Sequence, residues 1–563
     1  MSQLFDDRVP ITPSTFDLIV IGTGLPGSVI AAAASTAGKA VLHLDTNQFY
    51  GGHFASLPLD DLFPFLNSHA SPPSSSSTTT TTTTITGHDD YTALPLTRRL
   101  LYSDIETVTY APQALAQHNP KRFYIDLSGP KVLFLADKAT DLLWRSGVLP
   151  FLCFKGIEMK SIYDDIGELW NVPDSRVAIF KDKRLSLMEK NKLMRFFKLV
   201  WQHLEAATDE QGSEGNSESR KISDEDLESP FVDFLNRMEL PHKIKSIILY
   251  AIAMVDYDQD NLEACKSILK TRDGIERLAV FYKSRLTNAP EAMIYPMYGH
   301  GNLSGVISRR AAVKGCVCAQ RVPVAVLMDK DSGQYKGVRL ASGQNLYSDQ
   351  LVMDPTFKVP SLPISSPPDV IASPQVLSLK HDKRKVARGI CITTSSLKPD
   401  ISNCLLVYPP GSLYPEQDAS IRAIQIGGSS AEVCPKGMFV VYFSVLCDDA
   451  KQGKMLLHDA MNALLKLALS GNPYDRTLDS EDAEVKPTLL WSMLYVQELS
   501  TDQQGYFLST PMPDANLDYN DLIDSTAVLF QTLYPHEEFF PGTHTVDNFD
   551  DDGSDVDAPK GTE

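Results

Sequence analysis

Gly22, Gly24 and Gly27 complete a G-x-G-x-x-G in "IGTGLPG", placed where an apolar run ends and a run of small residues begins. Phe16 to Ile21 reads as a buried strand, Ser28 to Ala37 as a helix stopped at Gly38, and Ala40 to Leu44 as the next strand. The spacing predicts a β-α-β unit of the dinucleotide-binding type. In such a unit the glycines make a tight turn, let backbone approach a pyrophosphate and bring helix against strand. Asp45 ends the second strand about 20 residues on, where an acid would hold a ribose hydroxyl. The same unit can also persist as a packing element without its ligand, so the motif alone leaves both readings open.

Composition narrows the rest. With 563 residues and 43% apolar content, the chain can bury a large core and build more than one domain. A net charge of -19 argues against a surface that displaces counterions from phosphates, so nucleic acid is not an expected partner. Of the eight cysteines only Cys316 and Cys318 lie close together, without zinc-site spacing or the density of a disulfide scaffold. They are expected to be reduced thiols of a cytosolic protein. The start "MSQLFDDRVPITPST" lacks a basic then apolar leader, no apolar run reaches about 18 residues, and the chain ends without a cysteine for a prenyl group. A soluble chain is expected, touching membranes only transiently through what it carries.

The expected fold class is α/β: a discontinuous Rossmann-type domain, residues 1–130 and 289–541, with a mainly helical second domain, 131–288, inserted between its halves. Leu193, Phe196, Val200 and Leu204 recur at helical spacing, and Ser229-Pro230 reads as a helix start. Ile247 to Val255, "IILYAIAMV", is apolar on every side, which fits burial or a face offered to lipid. Short strands such as Val322 to Met328 and Met438 to Cys447 return after Tyr295. Three stretches, 67–90, 209–228 and 542–563, are too polar to bury a core and are expected to be flexible. "DNFDDDG" falls short of a calcium loop because Pro559 stands where the closing glutamate is needed, and no metal is expected.

Catalytic constellations are missing. There is no P-loop, no H-E-x-x-H and no G-x-S-x-G. His300, in "YPMYGHGNLSG", lacks a nucleophile partner and reads as a loop histidine with local hydrogen bonds. After the acid-bearing strand, "FYGGHFASL" carries His53 where flavin oxidoreductases have an arginine, and a late Gly-Asp element is not evident. Both differences weaken the case for a bound flavin.

"LHLDTNQFYGG", "RFYIDLSGPKVLFLADKATDLLWRSGVLPFLCFKGIE" and "YPMYGHGNLSGVISRRAAVKG" together resemble the family of Rab GDP dissociation inhibitors and Rab escort proteins. The likeness spans most of residues 16 to 541. "GTGLP", "FASL", "LLWSMLYVQE" and "VLFQTLYPHEEFFP" are more similar to the escort branch, of plant type. That resemblance implies an FAD-oxidoreductase-like fold without FAD, and a non-catalytic component that binds GDP-loaded Rab GTPases. The escort presents them to the Rab geranylgeranyltransferase heterodimer and shields the geranylgeranyl group until delivery. A GDP dissociation inhibitor extracting prenylated Rab is the near alternative, and a flavin oxidoreductase the remote one. By resemblance, Tyr50 and Arg309 match the family's Rab-binding platform, with departures at Asn302, where glutamate is common, and Val317, where dissociation inhibitors have threonine. Phe281 matches an exposed phenylalanine that docks the transferase, and Arg285 is the nearest candidate for its companion arginine. The apolar run around Ile248 and Ala251 is the expected prenyl groove.

Overall fold

The computed structural model describes residues 9–70, 90–164, 166–208, 221–261, 265–287, 289–359, 384–467, 486–499 and 507–541. Most of the 67–90 stretch, residues 209–220 and the tail from 542 lie outside the described residues.

The opening unit forms as its spacing predicts: strand Thr15–Ile21, helix Leu25–Thr36 and strand Val41–Asp45. Gly22 turns the chain at φ +102°, and a β-carbon at Gly27 would run into the Gly22 carbonyl oxygen. Helix and strand therefore touch at a distance only glycine permits. Thr15–Ile21 lies inside an eight-stranded sheet ordered Val317–Gln320, Val41–Asp45, Thr15–Ile21, Asn345–Met353, Tyr335–Leu340, Pro323–Asp329, Tyr91–Pro95, with Leu508–Ser509 added beside Asn345–Met353. The first four run parallel, and the next three pairings are antiparallel. Helix Leu25–Thr36 packs against helices Gly301–Val313 and Asn520–Leu533. Parallel neighbours drawn from both ends of the sequence make this layer discontinuous, with strands from before residue 130 and after 289 in one sheet.

A second sheet of nine strands centres on Ile421–Gly427, Phe439–Cys447, Lys385–Thr393 and Thr488–Glu498. Alternate residues of Cys404–Tyr408 enter different cores: Leu405 and Val407 join Phe231, Ile247 and Ile248, while Cys404, Leu406 and Tyr408 join Leu456 and Leu457 of helix Ala450–Leu464. Both faces are covered. The 131–288 stretch supplies helices Leu187–Thr208, Phe231–Arg237 and Thr271–Leu286, and also strand Met159–Tyr163, which pairs in parallel with Cys404–Tyr408. Leu193, Phe196 and Val200 are buried on their helix as the periodicity requires. Two local expectations are corrected. Ser229 does not start a helix; its hydroxyl donates to the Asp226 carbonyl, and Pro230 precedes helix Phe231–Arg237. Asp224–Glu228, read as loop, is a short helix because Ser223 caps it by accepting from the Asp226 backbone N–H.

Arg388, on strand Lys385–Thr393 of the second sheet, ties two loops to that sheet from within. It is 1% exposed and donates to the carbonyls of Ser128, Gly129 and Asp514 and to Gln497 Oε1, at 2.7 to 3.0 Å. Arg388→Met keeps the volume but strands four acceptors, and is expected to lower unfolding free energy by about 3 kcal/mol or more. Urea denaturation of the two proteins measures this, and a loss below about 1 kcal/mol would contradict the role.

Candidate functional site

Asp45 stands where the motif requires, but its carboxylate is already engaged. Oδ2 accepts from the Thr23 backbone N–H at 3.1 Å and from the Thr23 hydroxyl; Oδ1 accepts from the Asn47 N–H at 2.7 Å and Nδ2 at 3.0 Å. Burial raises its pKa against these hydrogen bonds. Thr23 Oγ1 in turn accepts from the Gly51 N–H at 3.0 Å, tying the Gly-Gly loop to the opening turn. His53 fills the adjoining space, with Nδ1 2.7 Å from the Tyr102 hydroxyl and Nε2 2.7 Å from Thr356 Oγ1. The cavity left among Gly22, Asp45, Gly52, His53, Arg98 and Asp354 has a volume of about 20 Å³. That is room for about one water.

Residues of the expected platform lie on three adjoining segments. Tyr50 is 39% exposed on the loop after Val41–Asp45, and partial burial pushes its phenol pKa up, so it remains a hydroxyl donor. Arg309 is exposed and Asn302 half-buried on helix Gly301–Val313. Val317 is half-buried at the start of the edge strand, opposite Leu42. The Gly301 N–H donates to Ser56 Oγ at 2.8 Å, which fixes the helix start against the loop following Gly-Gly.

The helical region corrects two expectations. Phe281 is 6% exposed: its ring meets Phe134 edge-on and lies 3.7 Å from Lys160 Nζ, so it presents no anchor at the surface. Lys160 is buried with its pKa lowered to about 7, chiefly by burial. Arg285 is half-buried, 3.9 Å from the Asp174 carboxylate. Ile248 and Ala251 have no exposed surface; they lie in a π-helical turn, Ile247–Ile252, packed against helix Thr271–Leu286 and strands Met159–Tyr163 and Cys404–Tyr408. No groove is open at these two positions. Large apolar side chains exposed elsewhere in residues 131–288 include Val177, Phe180, Leu187 and Met188.

The residue that sequence reasoning missed is Asp126. Its carboxylate accepts from Ser56 Oγ and the Tyr295 hydroxyl, both at 2.5 Å, and from the His300 N–H at 2.9 Å. His300 is buried too, its ring nitrogens 2.9 Å from the Lys131 carbonyl and 2.7 Å from the Tyr519 hydroxyl. Its ring is structural, and burial lowers its pKa. Among the described residues no group of three or more metal-ligating side chains is found, and no helix is long and apolar enough to cross a membrane.

Two predictions test this geometry. Burial lowers the His53 pKa to about 4 from an ordinary 6.5, so the folded chain holds it neutral while the unfolded chain takes up a proton. Its contribution is whole above pH 6.5 and is lost as pH falls toward 4, with a slope of at most about 1.4 kcal/mol per pH unit. His53→Gln should flatten that limb in urea midpoints measured across the window; an unchanged slope would refute the assignment. Ile248→Asn places an amide in a filled core, so melting temperature should drop by several degrees. An unchanged melting temperature would contradict the filled core at this turn.

Comparison with known proteins follows the same architecture. A family model described as GDP dissociation inhibitor matches residues 13–82 and 90–468. Rab escort protein 1 of Arabidopsis thaliana is 47% identical over 97% of this chain and 98% of its own. The human Rab proteins geranylgeranyltransferase component A 1 is 24% identical, with 94% of this chain and 92% of its own covered. Among solved structures, Rab GDI from Plasmodium falciparum aligns with a TM-score of 0.64 at 18% identity, covering 93% of this chain and 99% of that one. An oxidoreductase from Methanosarcina mazei aligns at 0.50 and 11%, covering 92% and 100%, a likeness of fold alone. With its α/β, FAD-oxidoreductase-like fold, the chain belongs to the GDP dissociation inhibitor family and, within it, to the Rab escort proteins.

Proposed function

We propose that this chain is a non-catalytic escort, the accessory component of Rab geranylgeranyltransferase. It binds GDP-loaded Rab, presents the Rab C-terminal cysteines to the transferase heterodimer, and shields the prenyl chain until delivery to a membrane. The observation that carries this reading is the end-to-end identity of 47% with Rab escort protein 1 of Arabidopsis thaliana. Relatives named as geranylgeranyltransferase component A from Caenorhabditis elegans and human, matched over 94% of this chain, support the second partner.

The chemistry of the proposed platform agrees with a protein partner. Arg309 offers a planar fork of donors to carboxylates or carbonyls, and Tyr50 an aromatic face with a hydroxyl. Asn302 in place of an acid would remove one charge from that face. Phe281 and Arg285 stay in the reading as the transferase side, with Phe281 having to leave its seat over Lys160 before it could dock. The reading without a flavin is supported by the small space beside Asp45, about 20 Å³ against about 300–1,000 Å³ for small-molecule sites. Thr23 and Asn47 already bond the Asp45 carboxylate, the group expected to hold a ribose, and His53 is held beside it by Tyr102 and Thr356. The purified protein is accordingly expected to be colourless.

Transfer of labelled geranylgeranyl to a Rab by the purified heterodimer, with and without this chain, tests the function. Strong dependence is expected. Tyr50→Ala and Arg309→Ala should each raise the concentration needed for half-maximal transfer about tenfold, the loss of about 1.4 kcal/mol of binding, without lowering the melting temperature. Absence of stimulation, together with extraction of prenylated Rab from membranes, would move the assignment to dissociation inhibitor.

A further inference from the structure

Cys316 and Cys318 flank Val317 at the start of the edge strand Val317–Gln320. In strand geometry residues two apart face the same side, and here both sulfurs turn inward toward the helical layer, 4.0 Å from one another. Cys318 Sγ is also 4.0 Å from the Ser308 carbonyl oxygen on helix Gly301–Val313. The strand's parallel neighbour sets His43 opposite Cys318. His43 is 1% exposed, and its Nε2 lies 3.0 Å from the Gly22 carbonyl oxygen, which can only accept. The proton therefore sits on Nε2. That leaves Nδ1, also buried, to the half-buried Cys318 thiol, on which His43 acts. A buried ring nitrogen of this kind calls for a partner.

The two thiols differ in character. The Cys316–Cys318 contact and His43 hold Cys318 well below its usual range, while the same contact, with burial, pushes Cys316 up. Two neighbouring sulfurs of unlike acidity suit the attacking and resolving roles of a reversible dithiol.

We propose that Cys318 and Cys316 form a hydroperoxide-reactive dithiol site, Cys318 attacking, Cys316 resolving and His43 Nδ1 carrying the proton. The Cys318 proton passes to Nδ1; the thiolate then attacks one peroxide oxygen, the O–O bond breaks, and the departing oxygen takes the proton back from His43 to leave as water. Cys318 is now a sulfenic acid. Cys316 Sγ attacks that sulfur, the S–O bond breaks as the S–S bond forms, and a second water leaves with the Cys316 proton. Two thiols are oxidised and one peroxide is reduced. Strand spacing places the two Cα atoms about 6.5 Å apart, within the roughly 4.4–6.8 Å that a disulfide spans. Closure is eased because Val317–Gln320 pairs on one side only among the described strands, so a pucker disturbs a single ladder.

The test uses the full chain and dilute hydrogen peroxide, followed by thiol alkylation and trypsin. Cleavage after Lys314 and Arg321 yields Gly315 to Arg321 with both cysteines in one peptide. That peptide is expected two hydrogens lighter and unalkylated, reverting with dithiothreitol, while exposed Cys153 is still alkylated. Cys316→Ser should trap a dimedone-reactive sulfenic acid on Cys318. His43→Gln, which keeps an amide donor for the Gly22 carbonyl, should slow the reaction several-fold; if that variant does not fold, the wild-type mass and the Cys316→Ser trap decide alone. Oxidation of Cys153 ahead of an unchanged Gly315–Arg321 peptide, or no sulfenic acid in Cys316→Ser, would overturn the site. None of these readouts involves Rab, so they stand or fall apart from the escort reading.

Discussion

One buried carboxylate sets the frame on which the proposed partner face rests. Asp126 is 1% exposed, and polar atoms removed from water are tolerated only when hydrogen bonds replace their hydration. Ser56, Tyr295 and the His300 N–H supply them, and the Asp126 N–H donates to the Tyr442 hydroxyl at 3.1 Å. Those partners belong to the loop after Gly-Gly, strand Met293–Pro296, the beginning of helix Gly301–Val313 and strand Phe439–Cys447 of the second sheet. The loop bearing Tyr50 and the helix bearing Asn302 and Arg309 are thus positioned from one interior point.

Legibility followed sequence distance. The β-α-β unit was readable because its glycines, strand and acid lie within one local stretch, and each residue's reason is local. Asp126 was not, although it stands in a segment singled out for its resemblance. Its partners are 70, 169 and 174 residues away for Ser56, Tyr295 and His300, and no periodicity connects them. His53 could be seen as a departure from flavin enzymes, but Tyr102 and Thr356, which hold it, could not.

Burial on both faces hid more. Cys404–Tyr408 reads "CLLVY", an apolar run without alternation, because one set of residues meets the helical region and the other meets helix Ala450–Leu464. Period two marks a strand only when one face is wet. Likewise helical spacing put Phe281 on a definite face of its helix, yet whether that face met solvent or core was decided by Phe134 and Lys160, more than a hundred residues earlier.

The loops of the fold's nucleotide cleft also carry the face proposed for the partner. In a dinucleotide enzyme, the glycine turn and the Gly-Gly loop converge on a phosphate group, which neutralises their exposed N–H groups. Here side chains do that work: Thr23 accepts from Gly51, Asp45 binds Thr23 and Asn47, and His53 closes the space between Tyr102 and Thr356. A loop held by its own side chains stays ordered without a ligand, and Tyr50, at its rim, gains a fixed position without one. Side chains that hold these loops also hold the surface above them, so the fold has the means to fix the proposed platform without a bound group.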